Sequence, residues 1–290
     1  MTIETATIRS GVAQWQVFGG EHSPTMVFLA ANGFPVGSYR FLLEALASNS
    51  GVLAFESRGA WPEKMEPTSG FSWAEHADDL IAFLEYQRKQ SAFAPIVGIG
   101  HSIGATVSAI AALKRPDLFR ALVLIDPATV PGRVMPWAMR LMPFLAKRMD
   151  LVTRTQRRRR HWPDRNTFAR YHHEKSVYRR FTDQAINDYA EAGLRENGEG
   201  FELAYSPDWE AWNFQHTALL WPVLRKLRLP ILLLRAEHSY LHPDAEFRAH
   251  CRRAPANIMP VTVPGAGHML PQEAPEALLS EISRWLPTLD

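Results

Sequence analysis

The stretch Gly100-His101-Ser102-Ile103-Gly104 sets a hydroxyl between two glycines at the end of the apolar run "PIVGIG" (95 to 100). A hydroxyl is a poor nucleophile near neutral pH, and acyl transfer through it needs a base within hydrogen-bond reach to take its proton during attack. The spacing matches a strand-to-helix nucleophile elbow, in which the serine is held in a strained conformation with Oγ exposed. Side chains two residues to either side of such a serine would collide with the neighbouring strand and helix, which accounts for both glycines. The chemistry indicated is nucleophilic catalysis by Ser102; the plain alternative is a small residue in an ordinary turn.

An elbow requires a strand before it and a helix after it, and both are legible. "PIVGIG" precedes the serine, and "SIGATVSAIAALKR" follows it with alanines and a glycine small enough for close packing on a sheet. The N-terminus of that helix directs positive dipole density toward Ser102. Further apolar runs recur as "TMVFLAA" (25 to 31), "GVLAFE" (51 to 56), "ALVLID" (121 to 126), "PILLLRA" (230 to 236) and "IMPVTVP" (258 to 264). Continuous apolarity suits strands covered on both faces. Helix-length patterns lie between most of them, among them "YRFLLEALA", "WAEHADDLIAFLEYQRK" and "PDAEFRAHCRRA". Strands alternating with helices predict an α/β fold with a mostly parallel, doubly wound sheet. The earlier stretch "ATIRSGVAQWQVFGG" alternates and reads as an antiparallel edge hairpin.

The rhythm fails between Asp126 and Pro230, where no convincing strand is visible and "VMPWAMRLMPFLAKRM", "NTFARYHHEKSVYRRF" and "DQAINDYAEAGL" read as helices. The expected organisation is a core of residues 1–127 and 216–290 with an inserted helical cap over 128–215. A chain of 290 residues with 46% hydrophobic content suits one such catalytic unit rather than two independent domains. Lysine plus arginine (32) nearly balances aspartate plus glutamate (30), so no global field favours nucleic acid or an anionic membrane. The single cysteine, Cys251, excludes an internal disulfide and reads as an inert thiol on a helix. "MTIETATIRSG" has neither a basic nor an apolar leader region, and no apolar run is long enough to span a bilayer, so a soluble, cytoplasmic protein is expected. The pair His172-His173 lacks an i, i+4 partner, so neither a metal nor a cofactor is expected.

With these elements in place, the sequence resembles the α/β-hydrolase family over almost the whole chain outside the cap. "NGFP" (32 to 35) is similar to that family's HG-x-P oxyanion loop, "GHSIG" to its elbow, and "PGAGHMLPQEAPE" (264 to 276) to its histidine loop and final helix. More narrowly, "AANGFPVGSYRFLLEAL" and "LVLIDPA" resemble a subgroup of bacterial and peroxisomal esterase or lipase-like hydrolases. Asn32 stands where the family usually has histidine. The resemblance implies His268, of eleven histidines, as the base, because the family order is serine, acid, histidine. It also implies a backbone oxyanion hole from the N–H groups of Ile103 and Phe34. His101 points away from the reaction and packs beneath the elbow.

The third partner is less plain. In many relatives the acid follows the seventh strand, but "LLLRAEHSYL" puts Ser239 and Tyr240 where aspartate is expected. Asp126 closes the preceding strand in "LVLIDPA", a strand end from which some members of the family take their acid. Asp126 is the favoured acid and Glu237 the alternative, with Asp244 or none behind them.

The cap start "VPGRVMPWAMRLMPFLAKRM" is rich in Met, Trp, Leu and Phe, which suits a small-molecule substrate with an apolar acyl or aromatic part, although each residue alone reads as helix core. "RTQRRRRHW" (154 to 162) reads as a solvated helix face, with contact to an anionic substrate second and nucleic acid a distant third. Trp209 and Trp212 read as core. The functional expectation is a serine hydrolase of carboxylic esters. C–C bond or thioester hydrolysis by the same residues is one alternative, and a slow-turnover small-molecule binding protein on the same shell is another. Dehalogenase and epoxide-hydrolase chemistry would need a carboxylate nucleophile where Ser102 stands.

Overall fold

The computed structural model describes residues 1–91, 93–129 and 150–289. Along the chain the strands are β1 (Thr2–Ile8), β2 (Gly11–Phe18), β3 (Pro24–Leu29), β4 (Gly51–Phe55), β5 (Ile96–His101), β6 (Phe119–Ile125), β7 (His161–Trp162), β8 (Leu194–Glu196), β9 (Phe201–Leu203), β10 (Ile231–Ala236) and β11 (Ile258–Val263). Eight of them form one sheet in the order β1-β2-β4-β3-β5-β6-β10-β11. β1 pairs antiparallel with β2, and β2 with β4. From β4 to β11 every pairing is parallel.

Period-2 alternation divides the core into two layers. On β6, Ala121, Val123 and Ile125 join one cluster of buried side chains, while Leu122 and Leu124 join the other. β10 repeats the pattern, with Leu232, Leu234 and Ala236 on one face and Ile231 and Leu233 on the opposite one. Both faces are therefore apolar, which is why these strands read as continuous hydrophobic runs.

The helices are α1 (Arg40–Leu46), α2 (Trp73–Gln90), α3 (Ile103–Lys114), α4 (Asp150–Gln156), α5 (Arg165–His173), α6 (Asp183–Ala192), α7 (Pro207–Gln215), α8 (Leu220–Leu224), α9 (Asp244–Cys251), α10 (Leu270–Glu273) and α11 (Pro275–Trp285), numbered among the described residues. A capping box starts α2: the Ser72 hydroxyl takes the Ala74 N–H at 3.2 Å, and Glu75 takes the Ser72 N–H at 2.7 Å. Cys251 lies on α9, and burial pushes its thiol up to about 11, as suits an unreactive group.

Two expectations for the insertion need correction. The segment after β6 is not wholly helical, because β7, β9 and β8 pair antiparallel into a small sheet of their own. Strands of two or three residues are too short to show a period, although the Asn197-Gly198 pair between β8 and β9 is a hairpin signal. The basic run is not a uniformly solvated face either. Only its start lies on α4; Arg158, beyond the helix end, turns inward to pair with Glu210, and Arg160 pairs with Asp208 at 2.9 Å. The apolar stretch at 130–149 lies outside the described residues. No described helix is long and apolar enough to cross a membrane.

Candidate active site

β5 ends at His101, and α3 begins one residue after Ser102, whose φ of 54° and ψ of −119° belong to neither element. A non-glycine residue there carries strain on the order of 1–3 kcal/mol, tolerated only where the surroundings enforce it. Here they do. A Cβ on Gly100 would lie 2.5 Å from the Ala105 nitrogen, and one on Gly104 would lie 2.4 Å from the Leu29 carbonyl oxygen. The Ser102 N–H donates to the Ile125 carbonyl at 3.0 Å, and the Ser102 carbonyl accepts the Ala128 N–H at 2.9 Å. The Thr106 hydroxyl adds a bond of 2.7 Å to the Ala128 carbonyl. The elbow thus holds the end of β6 and Asp126 with it.

The structure brings Ser102, His268 and Asp126 into one hydrogen-bonded chain. The Ser102 hydroxyl donates to His268 Nε2 at 3.0 Å, and His268 Nδ1 donates to Asp126 Oδ2 at 2.6 Å. Asp126 is fully buried with φ at 38°, a left-handed conformation that aspartate tolerates better than most residues. Its Oδ1 accepts the Ala236 N–H at 3.0 Å, and its Oδ2 also accepts the Ser239 hydroxyl at 2.7 Å. Burial alone would push this carboxyl up. The hydrogen bond from His268, the potentials of His268 and His242, and the Ser239 hydroxyl outweigh burial and hold the group below the usual carboxylate range.

Glu237 lies elsewhere. Its half-exposed carboxylate accepts the Gly265 N–H at 2.7 Å, and the Glu237 N–H donates to the Val263 carbonyl at 3.0 Å. With Glu273, which accepts the Gly267 N–H at 2.7 Å, it braces the loop carrying His268. Asp244 is spent on Arg235 and Arg248.

His101 lies beneath this chain, fully buried. Its Nε2 faces the carbonyl of His268 at 2.8 Å, an acceptor only, so that nitrogen carries the hydrogen. Its Nδ1 then accepts from the Tyr39 hydroxyl at 2.8 Å, and the Tyr39 oxygen accepts the Ala31 N–H at 3.0 Å. Burial and the neighbouring His268 depress His101 to about 3, which keeps it neutral. This relay ties the Ala31–Phe34 turn to the histidine loop. The sequence reading missed Tyr39, which has the pattern of an ordinary buried residue at the head of α1.

The Phe34 N–H closes a turn on the Ala31 carbonyl at 3.2 Å, the long end of the normal range. Ile103 is the first residue of α3, so its N–H has no acceptor within the helix. Glu56, at the exit of β4, accepts the Val36 N–H at 3.0 Å and so supports the same loop. Burial pushes the Glu56 carboxyl up to about 8, a rise that the Val36 N–H and Arg195 only partly oppose. Between its ordinary 4.5 and about 8, the folded chain holds a proton that the unfolded chain has lost, so stability falls as pH rises through that window. Glu56→Gln keeps the acceptor without the charge. It is expected to match the parent in urea melts at pH 5 and to exceed it by about 2–4 kcal/mol at pH 8.5. A difference independent of pH would rule this out.

His172 donates from Nδ1 to the Phe168 carbonyl at 2.9 Å within an aromatic cluster. Among the described residues no group of three or more His, Cys, Asp or Glu side chains could hold a metal ion.

Comparison with known proteins agrees with the architecture. A model described as the alpha/beta hydrolase family matches residues 26–281. The chain is 26% identical over 266 residues to the 2-(acetamidomethylene)succinate hydrolase of Mesorhizobium japonicum, spanning 91% of this chain and 88% of that one. It is 23% identical over 292 residues to the sn-1-specific diacylglycerol lipase ABHD11 of Mus musculus, spanning 98% and 88%. Among solved structures, the E-2-(acetamidomethylene)succinate hydrolase superposes with a TM-score of 0.79 at 23% identity, covering 99% of this chain and 100% of that one. The thioesterase domain from the curacin biosynthetic pathway superposes at 0.74 with 16% identity, covering 98% and 99%. At those identities the structural likeness speaks for the fold.

Proposed function

Because the chain belongs to the alpha/beta hydrolase family, we propose that it is a serine hydrolase that cleaves a carboxylic ester of a small or medium apolar substrate. The observation that carries this reading is the chain of two hydrogen bonds, 3.0 Å from Ser102 to His268 and 2.6 Å from His268 to Asp126. Ser102 Oγ attacks the acyl carbonyl while His268 Nε2 takes its proton, and Asp126 steadies the imidazolium. The tetrahedral oxyanion is received by the Ile103 N–H and by the Phe34 N–H, whose long turn bond lets it be shared. Each such donor is typically worth about 3 kcal/mol in the transition state. Collapse breaks the bond to the alkoxide, which leaves with the proton from His268, and water then releases the acyl group by the same steps reversed in role. Residues 128–215 act as a cap whose walls select the substrate, over a core of 1–127 and 216–290.

The test is a panel of p-nitrophenyl esters, acyl thioesters and vinylogous diketones of graded length, together with a fluorophosphonate probe. Labelling of the protein and turnover of the esters above the other two classes is expected. Preferential thioester or C–C cleavage would move the assignment to those bonds. Neither labelling nor turnover of any member would overturn it in favour of a binding protein.

A further inference from the structure

The loop carrying Phe34 is fastened by α7 of the insertion as well as by the sheet. Asn32 Nδ2 donates to the Glu210 carbonyl at 2.9 Å, while Asn32 Oδ1 accepts from Asn213 Nδ2 at 3.0 Å and from the Tyr205 hydroxyl at 3.2 Å. The buried Asn213 is held in turn by His76, whose Nε2–H donates to Asn213 Oδ1 at 2.9 Å. One donor and two acceptor contacts thus converge on the residue that departs from the family pattern.

Beside it, Gly33 has φ at +80°, and a Cβ there would lie 2.7 Å from the Glu210 carboxyl carbon. The Glu210 carboxylate therefore rests against the backbone one residue before the Phe34 N–H. Arg158 pairs with it and donates to the Tyr189 hydroxyl at 2.8 Å, and the Tyr189 ring lies 4.7 Å from that of Phe34. The side chains of the pair are only 19% and 11% exposed. An unpaired carboxylate at this depth would oppose negative charge developing at the Phe34 N–H, and Arg158 removes that net charge.

We propose that Asn32 and the Arg158–Glu210 pair are positioning residues of the oxyanion hole, through which the Phe34 loop takes its geometry and its electrostatics from α7. The proposal rests on Ser102 being the nucleophile. It sets the role of the basic run as well, since its inward arginine neutralises a neighbour of the oxyanion.

Arg158→Met in the full-length chain is expected to lower kcat on a p-nitrophenyl ester about 100-fold with KM within about threefold. Affinity for a trifluoromethyl ketone, which forms a tetrahedral adduct, should fall by the same factor. Burial pushes the Glu210 carboxyl up once Arg158 no longer opposes it, so the rescue is read at pH 9, where that carboxyl is most ionised: adding Glu210→Gln removes it and should restore at least about tenfold of the loss there. A double variant no better than the single one would reduce the pair to packing and overturn the proposal, as would wild-type kcat in Arg158→Met. Should Arg158→Met fail to fold by thermal melting, Arg158→Lys and Asn32→Ala decide. The first should stay within about tenfold of the parent; the second should lose about tenfold in kcat with the pH profile of kcat/KM unmoved. A shifted profile, or no loss in Asn32→Ala, would overturn it. If the parent turns over no ester, the functional reading fails separately, and the ketone affinities of the variants still decide the coupling.

Discussion

Ser102→Ala is expected to lower ester turnover by roughly 10⁶-fold and to abolish fluorophosphonate labelling. The magnitude follows from the unit the residue belongs to. Without Oγ, the proton acceptor 3.0 Å away has nothing to activate, and what remains is the rate enhancement from binding and the backbone donors. Folding should be little affected. The φ of 54° at this position is enforced by bonds from the Ser102 N–H and carbonyl, which alanine keeps. An unchanged melting temperature with no labelling would therefore assign the loss to chemistry, whereas unaltered labelling of the variant would rule Ser102 out as nucleophile.

Asp126→Asn should cost about 10⁴-fold in kcat, while Glu237→Gln should leave turnover near the parent level. Asp126 accepts three donors: the Ala236 N–H on one oxygen, and Ser239 Oγ and His268 Nδ1 on the other. Asparagine offers one oxygen. Whichever way its amide turns, an NH₂ group meets a donor, either the Ala236 N–H or the histidine, and in the second case the imidazole loses the tautomer that leaves Nε2 free to accept. Glu237 contacts the backbone of Gly265, so its replacement loosens the histidine loop without touching the imidazole. If only the Glu237 change costs orders of magnitude, the acid has been misassigned.

Much of this was legible in the sequence because local pattern decides it. The buried parallel strands and the edge hairpin follow from apolar runs and alternation, and the elbow follows from two glycines whose steric need is visible in five residues. What was not legible depends on partners far apart in the chain. Nothing near Arg158 distinguishes it from Arg157 or Arg159; it turns inward because Glu210 and Tyr189 await it, and both arrive by tertiary folding. The same holds for Tyr39, whose hydroxyl meets His101 across 62 positions. "AEHSY" read as a vacancy; Ser239 stands there as a donor to Asp126 at the end of the neighbouring strand.

β6 and β10 are adjacent and parallel, with Ile125 opposite Leu234, so the Ala236 N–H and the Ser239 hydroxyl at the end of β10 both reach the Asp126 carboxylate, which in turn holds one imidazole. The carboxylate is thus a joint product of two strand ends: β6 carries it, and the end of β10 supplies two of its three donors, so a slip of either strand against the other would disturb both at once.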